Sequence, residues 1–366
     1  MKRFIMKKFI TKRSFAKRFI SIMAASVLIM GCLTACGSGS DVSGTDGKLS
    51  IVTTIFPEYD WVKNILGDKA GDADITLLLD NGVDLHSFQP TADDIMKISN
   101  CDVFIYVGGE SDEWVDDALA EAVNKDMVVI NLLESLGDSV KAEEIVEGMQ
   151  AEEEEDEAGE DAERSESEAG ESPENEEEEI EYDEHVWLSL RNAETLCDVI
   201  ADGLSKADPD NADTYKANAD SYISQLKDLD AQYQKTVDAA SVKTLLFGDR
   251  FPFRYLTDDY GLSYYAAFVG CSAETEASFE TIVFLADKTD ELGLNAIMTI
   301  ENSDGKIAET IRDNTGSKDQ KILTLDSMQS TTSKDIAAGA TYLSIMNSNL
   351  EVLQEALKIN YESDNS

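Results

Sequence analysis

The sequence of 366 residues carries 74 acidic and 30 basic side chains, which gives a formal net charge of −44 at pH 7. A field this negative repels nucleic acid and anionic lipid over long distances and attracts cations. The composition therefore argues against a nucleic-acid partner and favours a cationic ligand.

The first 47 residues predict a secretory signal followed by a tether. Eight basic residues up to Arg18 precede an apolar run, Phe19 to Met30, that is too short for a comfortable membrane-spanning helix. The residues before Cys36 resemble a bacterial lipobox, so residues 1–35 are predicted to be removed and Cys36 to carry the lipid. Removing eight basic residues and no acidic ones would lower the net charge from −44 to −52. Residues 36–47, rich in Gly and Ser, predict a flexible tether.

Residues 48–206 predict a first αβ lobe. Short strands rich in Ile and Val alternate with amphipathic helices, which is typical of parallel βα units with both sheet faces covered. In such sheets ligands bind beyond the carboxyl ends of the strands. The predicted strands are Lys48–Ile55, Asp74–Leu79, Val103–Val107 and Met127–Asn131, and the predicted helices are Pro57–Leu66, Thr91–Ile98 and Asp112–Val123.

An acidic insert of about residues 141–182 interrupts this lobe. Between Glu143 and Glu184 there are 23 acidic residues and one basic residue, Arg164. Such a segment buries too little apolar surface to offset its ordering entropy, so it is predicted to be disordered. Two roles stay open for it, a solubilising insert and a low-affinity collector of cations.

A long helix, residues 207–241, is predicted to join the first lobe to a second. Apolar positions within Asn211–Ala240 recur every three or four residues and form one buried stripe. A coiled-coil oligomer is the alternative, but Ala and Tyr on the stripe favour packing within one chain, so a monomer is expected. The αβ alternation resumes over residues 242–358, and residues 359–366 predict a disordered tail. The predicted strands of the second lobe are Lys243–Phe247, Leu262–Ala267, Ala296–Ile300 and Lys321–Leu325, and its helices are Pro252–Tyr260, Phe279–Leu292, Gly305–Arg312 and a closing helix, Ile336–Leu357.

The two histidines of the chain both stand in polar turns beside acidic residues. His86 follows a predicted strand, and His185 comes at the end of the acidic insert, ahead of an apolar strand-like segment. An imidazole binds a metal at neutral pH through one nitrogen while a carboxylate fixes the other. The residue types fit a metal site and equally fit two ordinary loop histidines, because no short ligand spacing makes the pattern specific.

Three cysteines follow Cys36, namely Cys101, Cys197 and Cys271. They are far apart, odd in number and in apolar contexts, so no disulfide framework is implied. We expect buried free thiols.

Several segments together resemble the metal-binding lipoproteins of ABC importers for zinc or manganese, the cluster A-I family. The resemblance runs from Lys48 to Lys358. It rests on the opening strand IVTTIFPEYDWVKNI, on GVDLHSFQPTADD and DEHVWLSL around the two histidines, on FPFRYLTDDYGL at the start of the second lobe, and on LDSM after its last strand. It implies an α/β fold of two lobes with mostly parallel sheets, joined by one long rigid helix, with the metal site in the cleft between the lobes.

The resemblance implies that His86 and His185 are metal ligands from the first lobe and Asp326 a ligand from the second. The family's third ligand, a His or a Glu, falls on Arg250, whose guanidinium only donates hydrogen bonds and cannot coordinate a cation. Arg250 is expected to bridge one of the carboxylates that could supply the missing ligand, or to face the permease. The candidates for the missing ligand are Asp249, Glu274, Glu276 and Glu301.

The function that the resemblance implies is capture of a divalent transition metal outside the cytoplasm, by a protein anchored to the bacterial membrane through the lipid on Cys36, and delivery to an ABC permease and its ATPase. Two histidines with carboxylates suit manganese or iron and tolerate zinc. No enzymatic chemistry is expected. The alternatives are a secreted metal-dependent hydrolase using His86 and His185, and an acidic surface adhesin or cation buffer built on the insert.

Overall fold

The computed structural model describes residues 48–150, 181–272 and 276–358, which group into one compact unit. The predicted signal, tether and tail, most of the acidic insert and Glu274 lie outside these residues. Within the described ranges, no helix combines the length and the apolarity needed to cross a bilayer.

The first lobe is built on a four-stranded sheet in which every pairing is parallel, as the alternation of short apolar and amphipathic segments predicts. The strand order is β2-β1-β3-β4, so β1 and β3 occupy the buried centre. Its strands are β1 (Leu49–Thr53), β2 (Ala73–Leu77), β3 (Val103–Tyr106) and β4 (Val128–Asn131), and its helices are α1 (Phe56–Leu66), α2 (Ala92–Asn100), α3 (Trp114–Ala120), α4 (Leu132–Leu136) and α5 (Leu190–Ala207).

The second lobe repeats the design with a second all-parallel sheet, ordered β6-β5-β7-β8. Ile297 and Ala308 belong to a separate apolar cluster on one side of this sheet, under α8 and α9. Its strands are β5 (Thr244–Phe251), β6 (Ser263–Val269), β7 (Ala296–Ile300) and β8 (Lys321–Leu325), and its helices are α7 (Arg254–Tyr260), α8 (Phe279–Leu292), α9 (Lys306–Asn314), α10 (Ser333–Ala337) and α11 (Tyr342–Ala356).

The linking helix α6 (Ala212–Ala239) packs within its own chain, as its apolar stripe predicts. Tyr222 and Tyr233 on this stripe are buried, and Tyr233 Oη donates a 2.7 Å hydrogen bond to Met346 O of α11. Asn218 Nδ2 donates to Ile65 O at the end of α1. The helix is thus fastened to elements of both lobes.

Two predicted elements are wrong in type or extent. The apolar segment after His185 is a 3₁₀ turn, Val186–Leu188, followed by α5, because Ser189 caps that helix by accepting from Asn192 N at 3.0 Å. The closing helix Ile336–Leu357 is broken into α10 and α11. Gly339 has a φ of 106° there, and Thr341 starts a new helix with a capping box.

The described ends of the acidic insert are folded, in contrast to the disorder expected from residue 141 onward. Ala142 and Tyr182 form an antiparallel bridge, with Glu143 N donating to Glu181 O and Asp183 N to Lys141 O. Further along, Gln150 N donates to Ala267 O of β6. The insert therefore leaves and re-enters the lobe side by side.

Candidate metal centre

The chemically active side chains gather where parallel strands of both lobes end. His86 lies in a 3₁₀ turn, Leu85–Ser87, after β2, and Ser111 follows β3. In the second lobe Cys271 follows β6 and Asp326 follows β8. This is the edge at which sheets of this kind bind ligands.

The two imidazoles face each other through their Nε2 atoms at 3.2 Å, although His86 and His185 are 99 positions apart. Two nitrogens bound to one tetrahedral zinc at about 2.05 Å each lie about 3.3 Å apart. His185 is fully buried and His86 nearly so, with 12% of its side chain exposed. The pair is already set at the spacing that a tetrahedral ion requires.

Oxygen atoms hold the opposite nitrogen of each ring. Asp183 Oδ1 lies 3.0 Å from His185 Nδ1, and Ser111 Oγ lies 2.8 Å from His86 Nδ1, with Glu184 Oε2 at 3.4 Å. The Asp183 carboxylate can only accept, so its contact places hydrogen on His185 Nδ1 and leaves the His185 Nε2 lone pair free for a metal. The Ser111 hydroxyl can accept from His86 Nδ1, and in that arrangement the two Nε2 lone pairs face each other at 3.2 Å, where a cation between them relieves their repulsion.

Backbone features bring the oxygen atoms into place. Ser111 N donates a 2.9 Å hydrogen bond to Glu184 Oε1, and a Cβ at Gly109 (φ +83°) would meet that same oxygen at 2.3 Å. Asp84 caps the turn that carries His86 by accepting from His86 N at 3.1 Å. Asp183 Oδ1 likewise accepts from His185 N at 2.9 Å. Both histidines are thus fixed by an acidic residue two positions earlier.

The electrostatics of the centre favour positive charge. Burial lowers the pKa of His185, but Asp183, Asp84 and Glu184 outweigh it, so the pKa stands above its ordinary value. Burial raises the pKa of Asp84, but His86 and Arg250 outweigh it, so this pKa lies below its ordinary value. Burial likewise raises the pKa of Glu184, but His86 and Ser111 bring it below its ordinary value. These carboxylates remain ionised around the ring pair, which attracts a cation.

The guanidinium of Arg250 binds a carboxylate of the other lobe, Asp84, and not one of the predicted candidates that the structure describes. Arg250 Nη2 donates a 2.7 Å hydrogen bond to Asp84 Oδ2, while Nη1 donates at 3.3 Å to Ser272 O. Gln329, with its side-chain amide turned to satisfy both atoms, also donates to both oxygens of Asp84, at 2.9 and 3.2 Å. The guanidinium therefore connects the turn of His86 with the loop of Cys271.

The carboxylates predicted as further ligands have different surroundings. Asp249 accepts a hydrogen bond from Arg250 N. Glu301 accepts hydrogen bonds from Ser327 N, Ser327 Oγ and Gln329 N. Both carboxylates are therefore already bound to backbone N–H groups. Glu276 is exposed. Among the described residues, the group whose ligand atoms lie within 4.8 Å of one another is His86, His185 and Cys271, without Asp326 or these acids.

Asp326, at the end of β8, has a carboxyl group with a raised pKa. Its Oδ1 accepts from Met328 N at 2.8 Å, and burial together with Glu301 raises the pKa of Asp326 to about 6. Burial disfavours the ionised form of this carboxyl group, and a nearby cation would favour it.

Cys271 is a member of the cluster that the sequence patterns do not identify. They predict a buried free thiol there, and no spacing connects it with either histidine. The one signal is its place shortly after a predicted strand, in the loop that also holds the candidates Glu274 and Glu276.

Two parallel αβ lobes with a histidine pair at the carboxyl ends of the strands define a two-lobed metal-binding protein. The profile of the family described as ZnuA, zinc-uptake complex component A, periplasmic, matches residues 51–356. The chain belongs to this family, which confirms the predicted resemblance.

Individual relatives agree with this membership. The chain is 31% identical over 315 residues to the zinc-binding protein AdcA of Streptococcus pyogenes, covering 84% of this chain and 56% of that protein. It thus spans little more than half the length of that relative. It is 30% identical over 341 residues to the high-affinity zinc uptake system protein ZnuA of Bacillus subtilis, covering 92% and 97%. The Zn(II)-bound ZnuA-like domain of Streptococcus pneumoniae AdcA superposes with a TM-score of 0.63 at 28% identity, covering 86% of this chain and 100% of that one.

Proposed function

We propose that this protein is an extracytoplasmic solute-binding protein, anchored through a lipid on Cys36, that captures a divalent transition metal and delivers it to an ABC permease with its ATPase. The observation that carries the proposal is the His86–His185 pair, set 3.2 Å apart with both Nδ1 atoms held by oxygen. The names of the relatives make zinc the first cargo to test, with manganese and iron after it.

In this proposal His86 and His185 bind the ion from the first lobe and Asp326 completes the shell from the second. The protein performs no chemistry on its cargo, because a shell closed by protein ligands leaves no position for an activated water. One chain supplies all the ligands, so a monomer suffices.

The test is titration of the metal-free full chain, purified in detergent, with zinc, manganese and iron(II) in turn against a competing chelator. We expect one tight site per chain that is lost in His86→Ala and in His185→Ala and weakened in Asp326→Ala. Asp228→Ala is the matched control, since Asp228 is an exposed carboxylate on α6. Tight binding that survives both histidine substitutions would overturn the proposal.

Delivery has a separate test. Proteoliposomes that contain a candidate ABC permease with its ATPase should take up zinc when the loaded protein is added, and should not do so with loaded free chelator. The competing cation-buffer function predicts weak binding at many sites that disappears when residues 151–180 are deleted. Metal-dependent hydrolysis abolished by His185→Ala would instead support the hydrolase.

A further inference from the structure

Cys271 is the third member of the cluster around the histidine pair. Its Sγ and one ring nitrogen each of His86 and His185 all lie within 4.8 Å of one another. The other described cysteines, Cys101 and Cys197, are buried in the first lobe, whereas Cys271 is partly exposed. Among the described His, Cys, Asp and Glu side chains, Cys271 is the member that the second lobe contributes to this group.

The spacing is close to what one ion requires. A tetrahedral zinc with a sulfur at about 2.3 Å and a nitrogen at about 2.05 Å places those two atoms about 3.6 Å apart. The cluster's upper bound of 4.8 Å therefore needs a closure of at most about 1.2 Å. Such a displacement is within the reach of a side-chain rotation and a small loop shift.

The loop that carries Cys271 is pressed against the buried histidine. A Cβ at Gly270 would lie 2.9 Å from His185 Cε1 and 3.2 Å from its Nδ1, so the backbone there packs closely beside the imidazole. Arg250 Nη1 donates to Ser272 O on the other side of the cysteine. The backbone on both sides of Cys271 is thus positioned next to the centre.

A carboxylate stands beside the thiol. Glu143 Oε1 accepts from Cys271 N at 3.2 Å, and the Cys271 thiol is a further hydrogen-bond partner of this carboxylate. Glu143 is fixed in turn by its backbone bond to Glu181 at the base of the acidic insert. The group that can take the thiol proton is therefore already in contact with it.

We propose that the Cys271 thiolate is the third ligand of the metal, so that the centre is a two-nitrogen, one-sulfur site completed by an oxygen. This inference rests on the proposed function and specifies its site. On binding, the S–H bond breaks as the sulfur–metal bond forms, and the proton passes to Glu143 and then to solvent. A thiolate ligand selects soft and borderline ions, so the cargo class narrows to zinc over manganese.

The test compares Cys271→Ala with a control variant, Cys197→Ala, which loses a different thiol. Both are made in the full chain, which is kept reduced with a phosphine. Cobalt(II) is the probe, because a thiolate ligand adds a near-ultraviolet charge-transfer absorption that nitrogen and oxygen ligands do not. We expect this absorption in the wild type and in Cys197→Ala, and its loss in Cys271→Ala. Zinc affinity should fall by at least about 100-fold in Cys271→Ala, the upper end of what loss of an outer partner costs.

A second readout does not depend on the variants. Zinc should protect Cys271 of the wild-type chain from alkylation, as located by mass spectrometry. The proposal is overturned if the absorption persists in Cys271→Ala, or if metal bound through His86 and His185 gives no thiolate absorption and no protection. That result leaves the proposed function standing. If the wild-type chain binds neither cobalt nor zinc, both the thiolate ligand and the proposed function are overturned.

Discussion

Replacing Asp183 with Asn tests whether the buried carboxylate prepares His185 for metal. Asp183 Oδ1 receives His185 N at 2.9 Å and lies 3.0 Å from His185 Nδ1, and the residue is only 2% exposed. Asparagine keeps the shape of the side chain and one acceptor oxygen but removes the negative charge. The substitution therefore isolates the charge from the packing.

The expected magnitude follows from the hydrogen bond. A bond to a charged group stabilises by about 1.5–3 kcal/mol and a neutral one by about 0.5–1.5 kcal/mol, so the loss is about 1–1.5 kcal/mol. That corresponds to roughly a tenfold weaker zinc affinity, the lower end of the 10–100-fold that loss of an outer partner costs. Because Asp183 also raises the pKa of His185, its removal lessens competition from protons at low pH. The loss of affinity should therefore grow as pH rises.

The assay is competition with a chromophoric zinc chelator across a pH series, with Asp198→Asn as the matched control. Asp198 is an exposed acid on α5, away from the ring pair, and its substitution should leave the affinity unchanged. If Asp183→Asn binds zinc within about twofold of wild type at every pH while His185→Ala fails to bind, the charge does not assist the ligand, and the reasoning is refuted.

Three further substitutions test other parts of the structure. Arg250→Met should lower the stability of the metal-free protein by about 1.5 kcal/mol, since it leaves Asp84 without its guanidinium partner, and an unchanged urea midpoint would contradict this. Trp187→Phe should cost about 1–3 kcal/mol, because Trp187 is fully buried and its Nε1 donates to Ser327 O at 2.9 Å, and thermal unfolding measures it. Burial and Asp112 raise the pKa of Glu58 from 4.5 to about 8, so folding takes up a proton and stability falls as pH rises through this window. Glu58→Gln should flatten that slope in urea titrations, and a slope equal to wild type would show that Glu58 does not cause it.

Most of the fold could be predicted because its signals are local. The strands at Ala296–Ile300 and Lys321–Leu325 and the helix at Phe279–Leu292 have the predicted bounds, since period and capping residues lie within each segment. The break in the closing helix had a local signal too, because Gly339 and Thr341 are typical of a helix end and a helix start. Apolar residues recur at helical spacing on both sides of the break, so the segment was predicted as one helix. The turn after His185 had none, because a three-residue apolar run reads equally as strand or turn.

The candidate site was predictable only in part, since its contacts join distant positions. The bond between Arg250 and Asp84 spans 166 residues, so the sequence pointed to nearer carboxylates as partners of the guanidinium and missed Asp84. The approach of Cys271 to the histidines is likewise a contact between residues far apart in the sequence. The acids beside His86 and His185, by contrast, are visible in the sequence two positions earlier, and each accepts a hydrogen bond from the backbone N–H of its histidine.

The contacts between the lobes bear on how a bound ion is held and released. Arg250 binds Asp84, Tyr255 Oη donates to Asp183 O at 2.7 Å, and Trp187 Nε1 donates to Ser327 O. Each contact ends on a residue within two positions of His86, His185 or Asp326. In the proposed function these bonds would hold the two lobes together beside the ligand atoms. Release would then act on the same bonds, since any movement that separates the second lobe from the histidines also breaks the contacts that orient them.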